Sequence, residues 1–468
     1  MTISQARTIA FDVLLRVTKQ NAYADDVLRA LLSDSVKTED AGLATELALG
    51  VLRWQRLLDF LIDRYLKKPA DVTDAEVRIA LRMGFYQLYF LSRVPAHAAV
   101  HESVELVKRA RKRSAANLVN AILRKAAKER RDDISPPDAV AHLLPAATSH
   151  ADRLGIRYSH PTWMVERWIR TYGEEHTREL LQANNHVPAL SGYLLDPKRD
   201  EEVRSLFRNT KTTILPGKLL RDAWVLEGGN PSACAAVRDG WIALQDEASQ
   251  AVARLLAVEP GQTVLDLCAA PGGKTLLLAR AAGEQGRVIA ADLHANRVRA
   301  MKERFERGGV RNVETFVLDG AETLPNSKPF EQGFDRILVD VPCSGTGTLA
   351  RHPEIRWKLG AADIGDLHSR QVRLLRNALR HLSAGGRLVY STCSLEPEEN
   401  ELVVREALQE AGGDFHTIDP RMAIESGLQE SVAVKSVVDV EGFFRTFPSE
   451  HGTDGFFGVV IERQEPKN

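Results

Sequence analysis

From about residue 245 onward, short apolar runs alternate with amphipathic stretches, and this alternation restricts the possible folds more than any other feature of the chain. QTVLDLCAA, RVIAADL, VETFVLDG, FDRILVDVPC and RLVYSTCS read as strands. GKTLLLARAAG, ANRVRAMKERFERGG and residues 361–382 read as the helices between them. Buried strands joined by helices predict a parallel, doubly wound α/β sheet. Near the end, GFFRTFPSEHGTDGFFGVVIER reads as two further strands around a turn, an antiparallel closure. Gly385-Gly386 predict a turn before the last parallel strand, and Glu396 to Glu401 read as an acidic helix start.

The first half of the chain keeps a different period. Ile9, Val13, Leu14 and Val17 share one helical face, and ATELALGVLRWQRLLDFLIDRYL and AEVRIALRMGFYQLYFL continue that spacing. Residues 1–135 are therefore expected to be an all-helical domain. Residues 136–159, with Pro136-Pro137 and Pro145, read as a linker. Residues 160–240, with helical spacing followed by ALSGYLLDP and DAWVLEGG as short strands, read as a small α+β connecting subdomain. Residues 241–468 then form the α/β domain.

Charge excludes some functions. The net charge of 468 residues is −1, so the whole chain is not a simple basic nucleic-acid binder. Residues 1–135 carry 23 Lys and Arg against 17 Asp and Glu, and the excess gathers in residues 107–131. Such a run is either a solvated helix face or a surface that contacts phosphates. No stretch of ~18 apolar residues predicts a membrane span, and the start lacks an apolar signal segment. Cys234, Cys268, Cys343 and Cys393 form no Cys-x-x-Cys and no metal-ligand spacing with His. Reduced thiols, a cytoplasmic location and no bound metal are expected.

In a doubly wound sheet, ligands bind beyond the carboxyl ends of the strands. DLCAAPGGKT follows the first strand, and Gly272-Gly273 let backbone N–H groups approach a ligand where a helix starts. Asp292 ends the second strand, 20 residues after Gly272, where an acidic residue takes a ribose hydroxyl in nucleoside-binding folds. Asp319 ends the third strand and Asp340 the fourth. GGKT resembles the end of a phosphate-binding P-loop. That reading fails because Cys268 stands where the first glycine belongs and Pro271 removes a donor. The loop also lacks G-x-G-x-x-G.

Two thiols remain, Cys343 in DVPCSGTG and Cys393 in YSTCS. A lone cysteine is usually packing. Two at neighbouring strand ends above a nucleoside pocket allow covalent catalysis on a pyrimidine. Cytosine C5 is a poor nucleophile until a thiolate adds at C6 and makes C5 enamine-like. A second acid–base group then handles the C5 proton. Sequence reasoning alone leaves both thiols as candidate nucleophiles. GTLARHPEIRWKL follows Cys343, and its Arg351, His352, Arg356 and Trp357 combine charge for phosphates with a ring for an unstacked base.

DLCAAPGGKT, DVPCSGTGTLARHPEIRW, YSTCSLEPEENE and DGFF resemble the RNA cytosine-C5 methyltransferases of the Nop2/Sun group. LALGVLRWQRLLDFLI, RMGFYQLYFLSRVPAHAAVHESVELVK and NLVNAILRK resemble a NusB-like RNA-binding domain. That fusion is similar to the group's bacterial enzymes acting on 16S ribosomal RNA. The resemblance covers nearly the whole chain and is weakest over 130–240 and 412–440. It implies a Rossmann-like domain binding S-adenosyl-L-methionine on Cys268, Ala269, Ala270, Pro271, Gly272, Gly273 and Lys274, with Asp292, Asp319 and Asp340. It implies Cys393 as the nucleophile and Cys343 in product release. It further implies a ribosomal RNA partner, no membrane and no metal; a monomer is expected. Val341 and Arg463 depart from the group's commoner Ala and Lys without touching the chemistry.

Overall fold

The structure is a computed structural model, and it describes residues 3–32, 36–66, 74–131 and 133–465. The chain forms two compact units. One is Met1–His186 with Leu349–Ala361; the other is Val187–Thr348 with Ala362–Asn468.

The first unit is helical, as its 3.6-residue period requires. Helix Gln5–Gln20 buries Ile9, Val13, Leu14 and Val17, the face read from sequence. Leu47 and Phe85, from helices Thr38–Arg53 and Ala75–Phe90, share that core. Residues 136–159 are not a linker: they hold helices Pro136–Leu143 and His150–Arg157. The physical reason is positional. Proline in the first turn removes only an N–H that has no helical partner there, and Ser135 and Ser149 cap the two helices by accepting the N–H of Asp138 and Asp152. Five basic side chains of the 107–131 run pair with carboxylates: Lys108 with Glu105, Arg109 with Asp12, Lys112 with Asp74, Lys125 with Glu129 and Arg131 with Asp133.

The segment Leu349–Ala361 is built into this helical unit around Arg356, which is 1% exposed. The Arg356 guanidinium donates to the carbonyls of Arg53 (3.1 Å), Ser159 (3.1 Å) and Asn184 (2.6 Å) and to Asn185 Oδ1 (2.7 Å). Arg53 and Asn184 end two helices, so one cation satisfies carbonyls that have no partner within their own helices. Trp357 Nε1 donates to Leu52 O at 2.7 Å, and Glu354 accepts the Ala24 N–H at 3.0 Å.

The second unit carries two sheets. The smaller contains β1 Leu190–Leu194, β2 Thr213–Pro216, β3 Ala223–Glu227 and β4 Ile242–Leu244, antiparallel in the order β2-β3-β1-β4. The larger contains β5 Thr263–Asp266, β6 Arg287–Asp292, β7 Val313–Val317, β8 Phe334–Asp340, β9 Leu382–Thr392, β10 Phe415–Ile418, β11 Phe444–Thr446 and β12 Phe456–Arg463. Its order is β10-β12-β9-β8-β5-β6-β7, with β11 on β12. Strands β5 to β9 are parallel, and β12 returns antiparallel to β9, the closure read from sequence. The winding reverses between β5 and β8, which makes a crevice at their carboxyl ends. Asp266 lies buried at the end of β5 and accepts the Thr275 hydroxyl at 2.7 Å, tying the strand to the following helix, Gly273–Ala282.

Two predictions follow from these buried polar groups. Arg356→Ala should weaken the helical unit by about 3 kcal/mol, because several buried acceptors lose a charged donor at once. Hydrogen exchange should then speed roughly 100-fold at the carboxyl ends of helices Thr38–Arg53 and Glu174–Ala183. Arg356→Lys should not restore protection, since an ammonium lacks the planar fork. Burial pushes the Asp266 carboxyl up to about 7. Its folded value is raised, so its proton-linked stability is whole below the ordinary carboxyl value of 3.8 and is lost as pH rises through about 7. Asp266→Asn cannot ionise, so its Tm relative to the parent should improve by roughly 3 °C between about pH 5 and about pH 8 in thermal melts without cofactor.

Candidate active site

The crevice is built by loops that leave β5, β6, β7, β8 and β9. Gly272, at φ +90°, opens the helix after β5; a Cβ there would press on Met301 and Phe305, so the tight turn and the close packing beneath it both require glycine. This turn presents the backbone of Cys268 to Lys274 along the crevice. Burial and neighbouring carboxylates push the Cys268 thiol up, so it packs against the core as an uncharged side chain. Lys274 reaches across to Asp340, Nζ to Oδ2 at 2.8 Å, and Ser391 Oγ donates to the other Asp340 oxygen at 2.7 Å.

Asp292 and Asp319 stand on adjacent strand ends. Asp292 accepts the His294 N–H (3.0 Å) and the Ala270 N–H (3.3 Å), which links the ends of β6 and the first loop. Leu293 beside it is 41% exposed, an apolar surface next to a carboxylate. Asp319 accepts the Ala321 N–H and the Arg370 guanidinium, the latter at 3.1 Å. A carboxylate able to take a diol, an apolar shelf and a backbone loop together form a donor set that suits a nucleoside.

The two thiols meet. Strands β8 and β9 pair in parallel with Asp340 opposite Ser391, so Cys343 and Cys393 leave neighbouring strand ends, and their Sγ atoms lie 3.1 Å apart, both partly exposed. Contact with Cys393, then burial, pushes the Cys343 thiol well above its usual range, because two thiolates this close would repel each other in a buried site. Gly347, four residues after Cys343, donates its N–H to Cys393 O at 2.9 Å and accepts the Gly455 N–H at 2.8 Å. A Cβ on Gly347 would overlap Gly455 O, so this glycine is required by close approach. The DGFF motif thereby buttresses both cysteine loops.

Several residues sit otherwise than sequence reasoning expected. Arg356 and Trp357 hold the helical unit together, and a guanidinium 1% exposed has no face left for a nucleotide. Arg351 and His352 are half-buried on the same segment, with His352 Nδ1 3.4 Å from Asp25. Glu396 to Asn400 do not start a helix. The helix begins at Glu401, and Glu396 and Glu399 are fully buried in the turn before it. Sequence reading missed Glu399, Gln371, Ser344, Ser394 and Arg370. The available signal was that Cys343 and Cys393 are each followed by serine. Among the described residues no cluster of His, Cys, Asp and Glu could hold a metal ion, and no helix is long and apolar enough to cross a membrane.

Comparison with known proteins agrees with this geometry. Residues 253–461 match the family described as 16S rRNA methyltransferase RsmB/F, residues 4–128 match the NusB family, and residues 160–192 match the ferredoxin-like domain of RsmF/B-like methyltransferases. A probable ribosomal RNA small subunit methyltransferase B of Synechocystis is 34% identical over 98% of this chain and 99% of its own length. A probable enzyme of the same description from Bacillus subtilis is 32% identical over 98% of both chains. The crystal structure of PH0851 shares the fold, with 24% identity and a TM-score of 0.78 over 99% of this chain and 100% of that one. The chain belongs to the RsmB/F family of 16S rRNA methyltransferases.

Proposed function

We propose that this chain methylates C5 of a cytosine in 16S ribosomal RNA through a covalent bond from Cys393 Sγ to C6 of the base. The observation that carries this reading is the pair of thiols 3.1 Å apart at the ends of β8 and β9, beside a nucleoside-type crevice. A methyltransferase acting on oxygen or an exocyclic nitrogen needs no thiol. One acting on cytosine C5 needs a nucleophile for C6 and a partner for the proton that C5 must lose.

The family's cofactor is S-adenosyl-L-methionine, which when bound supplies an electrophilic methyl group on a sulfonium. The residues present fit it. The loop from Cys268 to Lys274 would hold it by main-chain contacts, Asp292 would take the ribose hydroxyls against Leu293, and Asp319 would face the adenine side. Asp340, oriented by Lys274 and Ser391, would hold the cytosine near the methyl group.

The roles of the thiols follow the resemblance to the cytosine-C5 enzymes, in which the cysteine after Thr392 is the nucleophile. Cys393 then attacks C6 while Cys343, 3.1 Å away, serves release. The electron pair displaced from the C5–C6 double bond makes C5 the nucleophile for the methyl group. Once Cys393 is a neutral thioether, the main cause of the raised Cys343 pKa is gone. Cys343 can then give its proton to solvent and, as thiolate, take the one on C5, and the C6–S bond breaks to return Cys393 as thiolate. Exposed basic side chains of the helical unit would add RNA affinity through phosphates.

Three outcomes test the reading. Cys393→Ala should abolish methyl transfer, by about 10³-fold or more, with S-adenosylmethionine binding intact by calorimetry; retained activity would exclude the adduct. Cys343→Ala should leave the C6 bond formed but unreleased, seen as a slow-migrating protein–RNA species on a denaturing gel. Bisulfite sequencing of 16S RNA from a deletion strain should show one cytosine that has lost protection.

A further inference from the structure

Glu399 is fully buried, and all its carboxylate contacts go to the two cysteine loops and to Gln371, which itself touches one of them. Oε1 accepts the Ser344 N–H (2.8 Å) and Gln371 Nε2 (2.9 Å); Oε2 accepts Ser394 Oγ (2.5 Å) and the Ser344 hydroxyl. Ser344 follows Cys343 and Ser394 follows Cys393. Gln371 also donates to Pro342 O at 2.9 Å, just before Cys343. The neighbouring Asn400 accepts the Thr392 hydroxyl (2.6 Å) and donates to Ser394 O (3.0 Å), on either side of Cys393. Tyr390 OH fixes the main chain at Glu399 O, at 2.6 Å. The residues before and after each thiol are therefore all gripped, and Glu399 is the group common to both loops.

A buried carboxylate is costly, and its acceptor capacity is about four hydrogen bonds. Here that capacity is filled by donors from the residues next to the thiols and from the helix behind them. Apolar side chains would pack a strand end at less cost; they would not set a separation between two loops to a fraction of an ångström. The two sulfurs lie 50 residues apart in the chain, and besides the Gly347 N–H on Cys393 O, Glu399 gives the residues that follow each thiol one shared side-chain anchor.

We propose that Glu399 is a positioning residue for both thiols: by holding Ser344 and Ser394 on one carboxylate, it sets the distance between Cys343 and Cys393. This rests on the cysteine-adduct reading above, in which both sulfurs must reach one pyrimidine ring. Glu399 touches neither RNA nor cofactor in this role, and its charge lies among the causes that keep Cys343 protonated.

The test uses the full chain and a readout that needs no RNA. Diamide takes up two hydrogens from a pair of thiols, which become a disulfide while the diazene is reduced to a hydrazine. Native protein should close a Cys343–Cys393 link rapidly, identified by peptide mass. Glu399→Gln, which keeps shape but turns one oxygen into a donor facing donors, should slow that closure at least about ten-fold. It should lower kcat by a similar factor with an unchanged KM for S-adenosylmethionine. Glu399→Asp keeps the charge but cannot span both serines, and should be slow as well. Unchanged closure and kcat in Glu399→Gln would overturn the proposal, as would a parallel loss of cofactor binding and melting temperature, which would mark a role in folding alone. If native protein forms no C6 adduct, the adduct reading falls, while the closure rates still decide what Glu399 positions.

Discussion

The parallel pairing of β8 with β9 is the constraint from which the site follows. Parallel neighbours end on the same side of a sheet, so their following loops must share the space above it. With Asp340 opposite Ser391, the register leaves Cys343 and Cys393 only a few residues beyond adjacent ends. The reversal of winding between β5 and β8 then places the glycine loop next to the same ends. Lys274 bridges from that loop to Asp340, and Ser391 on β9 holds the same carboxylate, so the loop, the carboxylate and the strand that carries Cys393 form one connected set. A slip of one residue between β8 and β9 would turn one thiol to the other face of the sheet and break the arrangement.

Several buried charges are set against backbone or hydroxyl partners. Glu247 accepts the N–H groups of Lys218, Leu219 and Leu220, and Arg356 serves carbonyls at helix ends. Glu399 serves the cysteine loops. In each case a charged group satisfies main-chain or hydroxyl groups of irregular segments, which otherwise could not be buried.

The parts of the fold legible in the sequence were those carried by periodicity. Helix Gln5–Gln20, the five parallel strands and the antiparallel return of β12 all show in the spacing of apolar residues, because each buries a whole face or stripe. Residues 136–159 misled because proline breaks a helix in its middle and starts one at its first turn. Strands β2, β4 and β10 are three or four residues long, too short for alternation to register. The acidic stretch before Glu401 reads as a helix start because composition says nothing about which carboxylates find buried donors.

What the sequence determines by itself is the set of candidate groups and the strand ends that carry them: Cys343, Cys393, Asp292, Asp319, Asp340 and the Gly272-Gly273 turn. Those depend on local order along the chain. Only the tertiary structure decides which groups meet. It brings two sulfurs from 50 positions apart to 3.1 Å and sets Glu399 between their loops. It also withdraws Arg356 from any nucleotide by burying it among helix ends. Apolar periodicity is written residue by residue, whereas hydrogen-bond partners are chosen by the fold that brings distant segments together.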